Sequence, residues 1–330
     1  MRRRTCKDLL RKKAFPVPSS EQGFVLVTVL LVIAILVPLV LAFASKVQVN
    51  LVQADNFRNS VQAVRLARSG IEGAMGILRA DDANYDTLKD TWAAEFPTLG
   101  IGEGTIEVRI KDEDGRVPIN ALVRPNGVDV NKDVEQRLRS LISQLGGRPE
   151  VVDALIDWID VDEAVTGVEG AEHEYYKPQG YGCKNGPIDS LDELSMVRGF
   201  DKELLSDKKL LHYLTVAQTD GKINVNTAPI EVLRAVLGTQ TTALAQPLND
   251  SDIEDIVRYR DEHELKNIQD LNAVVKISTA QAGNIASLLK ISSTFFTVFS
   301  KCSLGKVVHN AEALLQRDGK NVTTISWREF

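Results

Sequence analysis

Only three cysteines occur in 330 residues, and neither Cys183 nor Cys302 has a second Cys or His at ligand spacing, so no zinc ribbon or paired redox thiol is available. The four histidines, His173, His212, His263 and His309, are scattered. None has the i, i+4 partner of a helical zinc site or the acidic relay of a triad. A Gly-x-Ser-x-Gly elbow, a phosphate-binding P-loop and a dinucleotide glycine fingerprint are all absent. Nothing in this inventory requires a catalyst. Positive charge is also scarce where it would matter. Met1 to Gly23 carries seven basic and two acidic residues, so without that segment the net charge of −6 becomes −11. An acidic body of this kind lacks the basic footprint of a nucleic-acid binder. With 44% apolar and 25% charged residues, the rest is ordinary globular composition, neither disordered nor fibrous.

What is abundant is one uncharged run. From Phe24 to Ala44 only Thr28 and Pro38 interrupt Val, Leu, Ile, Ala and Phe. That is enough for a helix to span a bilayer. Arg2, Arg3, Arg4, Lys7, Arg11, Lys12 and Lys13 precede it and are expected to stay in the cytoplasm, placing the chain beyond Ala44 on the other side. Two leaders fit the residues. A secretory signal would be cut after Ala42-Phe43-Ala44, although the apolar run is longer than the usual core of about 7–15 residues. A leader cut before the run would be cleaved between Gly23 and Phe24, behind polar Glu21-Gln22. In an oxidising compartment Cys183 and Cys302, the two cysteines beyond the leader, are expected to form a disulfide.

Beyond Ala44 the pattern becomes one-sided. Phe57, Val61, Val64, Ala67, Ile71, Met75 and Leu78 recur at three- and four-residue steps, predicting an amphipathic continuation of the same helix to about Arg79. Asp81-Asp82-Ala83-Asn84 ends it. Thr105 to Lys111 alternates as a half-buried strand, and Ser293 to Ser300, Ala311 to Arg317 and Asn321 to Arg328 read as further strands, the last two joined at Asp318-Gly319. These strands are expected to form one sheet against the long helix.

Between the strands lies a repeat. Asp114-Gly115-Arg116-Val117-Pro118-Ile119-Asn120-Ala121 returns in form as Asp220 to Ala228. Each copy is followed by a helix pattern, Val151 to Ile159 and Ile253 to Tyr259, which predicts two related helical units with Asn or Asp capping helix starts. Ile223 to Pro229 resembles the opening of helix-hairpin-helix and SAM-like domains. The hairpins that would hold phosphate, Val197 to Asp201 and Val274 to Ser278, lack the glycine pair that would let a phosphate approach the backbone. The expected organisation is therefore α+β: leader 1–23, membrane half of the helix 24–44, amphipathic half 45–80, first part of the sheet 81–114, helical units 115–216 and 217–291, and C-terminal strands 292–330.

The densest acidic stretch is Asp157-Trp158-Ile159-Asp160-Val161-Asp162-Glu163, followed by Glu169, Glu172 and Glu174, with Gly167 and Gly170 to let the chain curl. Alternating carboxylates on a flexible loop suit a hard cation, calcium above all outside the cytoplasm. The same residues fit a solvated acidic loop, and a catalytic carboxylate pair of Asp157 and Asp160 is a third reading.

The Gly23-Phe24 junction resembles the prepilin leader of type IV pilins and type II secretion pseudopilins. Thr28 stands where most pilin-like proteins carry a glutamate. With Asp157 to Asp162, Gly170-Ala171-Glu172, Tyr175-Tyr176 and Ile223 to Pro229, the chain resembles in order the general secretion pathway protein K family of minor pseudopilins. The resemblance implies a pilin-like helix packed on a small antiparallel sheet, carrying a large inserted domain of two SAM-like units. It also implies cleavage after Gly23 by a prepilin peptidase and methylation of Phe24. The location implied is the inner membrane, single-pass, with a periplasmic body and then a pseudopilus tip. The partners implied are minor pseudopilins I and J, the major pseudopilin and the inner-membrane assembly platform, with no nucleic acid. Calcium is implied too, with Asp160, Asp162 and Glu172 in the matching motif and Asp157 and Glu163 less closely matched. Outside that family, an anchored periplasmic DNA receptor or competence-type pilus protein remains the alternative, and beside it an anchored hydrolase.

Overall fold

A computed structural model of the chain describes residues 20–275 and 279–330. The basic flank from Arg2 to Lys13, Cys6 and the predicted hairpin residues Lys276 to Ser278 lie outside the described residues. Two units separate, 1–59 and 60–330. Helix α1 is Ser20–Ala80, and its interior Pro38 lies in the apolar run. An 18-residue window of α1 reaches a mean hydropathy of 3.3 with none of it buried within the protein, as a membrane-crossing helix requires.

In the second unit, Ala63, Ala67, Ile71, Ala74 and Leu78 form the buried stripe of α1. Phe57 is 73% and Val61 39% exposed, so the buried stripe begins later than the apolar periodicity does. Gly70 sits on this face because a Cβ there would lie 2.2 Å from the Ser300 hydroxyl oxygen. Absence of a side chain is what lets helix and sheet approach.

The sheet begins with β1 (Leu99–Ile101) and β2 (Gly104–Asp112). The chain then leaves it for an insertion that starts with β3 (Val117–Pro118), α2 (Lys132–Gln144), α3 (Val151–Ile159), α4 (His173–Tyr176) and β4 (Leu214–Thr215). It continues with β5 (Ile223–Asn224), α5 (Ile230–Leu237), α6 (Asp250–Glu262), α7 (Leu271–Val274), α8 (Thr279–Leu288) and β6 (Leu289–Lys290). Three long strands, β7 (Phe295–Leu304), β8 (Val307–Asp318) and β9 (Asn321–Glu329), complete the sheet. All its pairs are antiparallel, in the order β1-β2-β7-β8-β9. The β8–β9 turn is made by Gly319 at φ +58°, a conformation that favours glycine. Sequence periodicity locates four of these strands but not β1, whose three residues are all exposed and carry no burial pattern.

The repeat is visible as geometry. Val117 pairs in parallel with Leu214, and its counterpart Ile223 pairs in parallel with Leu289, so each copy is closed by a two-residue bridge. Asn120 donates to the carbonyl of Ile188, two residues before the helical turn capped by Ser190. Its counterpart Asn226 donates to the carbonyl of Leu265, two residues before the turn capped by Asn267. These asparagines therefore latch together segments far apart in the same chain. Asn249 does cap α6, accepting from Asp252 N at 2.9 Å. One continuous apolar core, including Leu138, Leu155, Trp158, Val232 and Ile253, runs through both copies.

Asn120 also donates to the Val216 carbonyl and accepts from Ile188 N. Replacing it with alanine strands three backbone groups, which should lower stability by about 1–3 kcal/mol. Urea denaturation of the detergent-solubilised chain checks this, and an unchanged midpoint would remove the latch from the account.

Candidate cation site

The site is built on the C-terminal end of α3. Asp153 and Asp157, one turn apart, face the loop that follows. Asp153 Oδ2 accepts from Val168 N at 3.0 Å and Glu169 N at 3.3 Å, while its other oxygen meets the Arg139 guanidinium. Asp157 accepts from Thr166 N at 2.9 Å. Gly170 packs so closely on this arrangement that a Cβ would lie 2.5 Å from Asp157 Oδ2 and 2.2 Å from the Thr166 carbonyl oxygen. Both aspartates thus spend their lone pairs holding the loop. Asp153 was not marked by the acidic run, because its role depends on a loop 15 residues away.

That loop brings three carboxylates together. One oxygen from each of Asp160, Asp162 and Glu172 lies within 4.8 Å of the others. Asp160 and Glu172 are 3% and 6% exposed, and Asp160 Oδ1 and both Glu172 oxygens have no hydrogen-bond partner. Desolvation, reinforced by the Asp162 and Asp157 charges, pushes the Asp160 carboxyl up to about 7. Desolvation and the neighbouring Asp157 and Asp160 push Glu172 to about 7 as well. Unpaired buried carboxylate oxygens are costly, and a hard cation with oxygen ligands is the chemistry that satisfies them. The residues fit such an ion. Asp157 stands apart, tied to the loop backbone and raised by burial, and Glu163 is exposed outside the trio.

A second acidic trio, Asp81, Asp86 and Asp90, is engaged by protein groups, Arg317 above all, although the buried Asp86 Oδ1 has no hydrogen-bond partner. Arg317 reaches Asp81 at 3.3 Å and contacts Asp86, while Asp90 accepts from Thr87 N at 2.7 Å.

The expected disulfide is absent. Cys183 and Cys302 are both free. Cys302 sits on β7 in the core between α1 and the sheet, whereas Cys183 packs against the core of the insertion and donates to the Asp157 carbonyl at 3.2 Å. Different cores hold the two thiols. Burial pushes the Cys183 thiol up to about 12, which leaves it protonated and unreactive.

The hairpin at Val197 to Asp201 is packed against the rest of the insertion. A Cβ on Gly199 would lie 2.5 Å from the Val151 side chain, and Arg198 is held by the Gly170 carbonyl at 3.0 Å and Glu169 at 3.0 Å. Phe24 and Thr28 lie on the exposed surface of α1, and the Thr28 hydroxyl donates to the Phe24 carbonyl at 2.9 Å.

Known proteins fit this picture. Residues 115–219 match the family model described as type II secretion system protein K. The type II secretion system protein K of Pseudomonas aeruginosa is 27% identical over 91% of each chain. That of Aeromonas hydrophila is 25% identical over 91% of this chain and 94% of its own. In fold, the chain is similar to one in the crystal structure of the GspK-GspI-GspJ complex from the enterotoxigenic Escherichia coli type 2 secretion system. The TM-score is 0.65 at 18% identity, covering 84% of this chain and 99% of that one. The resemblance read from the residues therefore stands in both sequence and fold.

Proposed function

We propose that this chain, a relative of type II secretion system protein K, is a minor pseudopilin that occupies the tip of the pseudopilus. There it helps initiate assembly and the export of folded proteins across the outer membrane. The role is mechanical rather than enzymatic. Its apolar helix anchors it in the inner membrane with the body in the periplasm, after a prepilin peptidase cuts between Gly23 and Phe24 and the new Phe24 amine is methylated. Minor pseudopilins I and J are the partners, by analogy with the Escherichia coli complex, and the major pseudopilin and the inner-membrane assembly platform act downstream. No nucleic acid enters this reading.

Thr28 is the observation that carries the reading. Its hydroxyl is already satisfied within its own helix by the Phe24 carbonyl, and it has no charge to offer a neighbour. A glutamate at this position would be costly in an apolar fibre unless it paired with the terminal amine of the next subunit. A subunit without it is not held into a stack by that pair. The large insertion between β2 and β7 adds bulk that opposes a further subunit above.

Calcium is the cation proposed for Asp160, Asp162 and Glu172. Its charge would neutralise three crowded carboxylates and lock the loop that follows α3. Backbone carbonyls and water complete such shells.

A Thr28→Glu variant tests the tip assignment. Fibres isolated from the native secretion system should carry the variant along the shaft, where the unmodified chain is confined to one end. The same material should yield an N-terminal peptide beginning at methylated Phe24. Unchanged tip placement of the variant would leave bulk alone as the cause, and a terminus at Ser45 would end the pseudopilin reading.

A further inference from the structure

A pocket of about 300 Å³ lies where the insertion leaves the sheet. Its lining draws on four parts of the second unit: Trp92 after α1, Lys111 and Arg116 at the exit from β2, His212 at the end of the first copy, and Arg260 on α6. Arg116 and Arg260 are guanidinium cations and Lys111 is an amine, and the one carboxylate among the lining residues is Asp112. Asp112 is committed elsewhere, with one oxygen held by the Thr227 hydroxyl and the other accepting from Asp114 N at 2.9 Å. In a body of net charge −11, such a concentration of cations around a cavity runs against the background.

The donors are also under-used. Lys111 Nζ lies over the Phe299 ring at 5.2 Å, and no acceptor is found for it among the described residues. Arg260 spends Nη1 on the Val225 and Ala228 carbonyls, at 2.5 and 2.6 Å. Its buried Nε has no hydrogen bond, with Asp261 at 3.6 Å. Arg116 uses Nη1 on Glu113 at 3.2 Å. Trp92 is 1% exposed, and its indole N–H has no acceptor. Desolvation and then the nearby Arg116 charge hold Lys111 below its ordinary value. His212 is depressed by desolvation and then by Arg116 and Lys111. Lys111 and Arg116 are close enough to repel one another, and Glu113, held by Arg116 at 3.2 Å, is the anion beside them.

We propose that this pocket binds a small inorganic oxyanion of the phosphate or sulfate class. Residues carrying guanidinium, ammonium and indole N–H donors line it from different chain segments, which suits an acceptor with oxygens in several directions. At about 30 Å³ per water, the volume holds on the order of ten waters, room for an oxyanion and part of its hydration shell. A bound oxyanion would tie the end of β2 to both copies of the repeat. This inference rests on the pocket alone and is independent of the tip assignment.

Isothermal titration of the full chain in a non-ionic detergent, with inorganic phosphate against chloride at matched ionic strength, tests it. Saturable phosphate binding is expected, weakened at least tenfold in Lys111→Met and again in Arg116→Met. Arg109→Met, which removes an exposed cation from the same strand outside the pocket, should bind as the unmodified chain does. Circular dichroism confirms that each variant is folded before it is titrated. No heat beyond that of chloride, or equal binding in the folded pocket variants, overturns the proposal.

Discussion

Chelating divalent cations should lower the melting temperature of the detergent-solubilised chain by about 5–10 °C, and Glu172→Gln should abolish that response. A ligand at about 100 times its dissociation constant stabilises the folded state by about 2.7 kcal/mol. In a body of this size each kcal/mol moves the melting temperature by roughly 2–4 °C. The effect is expected because the buried Asp160 Oδ1 and both Glu172 oxygens have no protein partner, which a bound cation would supply. Asp160→Asn provides the reciprocal check. In chelator it should be at least as stable as the unmodified chain, since it removes one of the crowded charges, and it should gain little from added calcium. Equal melting with and without chelator in the unmodified chain would sink the cation assignment and leave a solvated acidic loop.

Arg317→Met is expected to have the largest effect on the fold itself. Arg317 is 3% exposed and contacts Asp86, which is fully buried, while also donating to the Ser293 carbonyl at 3.0 Å. Asp86 in turn accepts from Ser293 N at 2.6 Å, and its own N–H donates to the Ile291 carbonyl at 2.8 Å. The pair therefore fastens the loop after α1 to the point where the insertion rejoins the sheet. Removing one partner of a buried pair costs about 3–5 kcal/mol when the other stays charged.

Asp86 supplies the pH signature. Desolvation raises it to about 6 despite Arg317, so its protonated form contributes stability that is present below the ordinary aspartate range and lost as pH rises through about 6. Without the guanidinium its pKa moves higher still, and the folded variant can take up a proton at neutral pH. The deficit of Arg317→Met should thus be greatest near pH 8 and shrink towards pH 5, as read by urea denaturation at both pH values. A deficit independent of pH would show that lost packing on the Phe296 ring, 4.8 Å from the guanidinium carbon, accounts for it instead.

The sequence by itself determined the features that depend on neighbours along the chain. The uncharged run fixed α1 as a helix able to cross a membrane, alternation fixed β2 and the C-terminal strands, and the repeated Asp-Gly motif marked two copies of one unit. Each signal is local, because periodicity records which side of an element is buried. Tertiary structure decided what depends on distant partners. Asn120 and Asn226 became latches because carbonyls 68 and 39 residues away lie against them. Glu172 joined Asp160 and Asp162 only because Asp153 and Asp157 fold the intervening loop back on α3. Cys183 and Cys302 stayed apart because Cys302 is buried in the core between α1 and the sheet while Cys183 packs against the separate core of the insertion. Spacing in sequence cannot rank such encounters, since the geometry that brings two residues together is set by how whole elements pack.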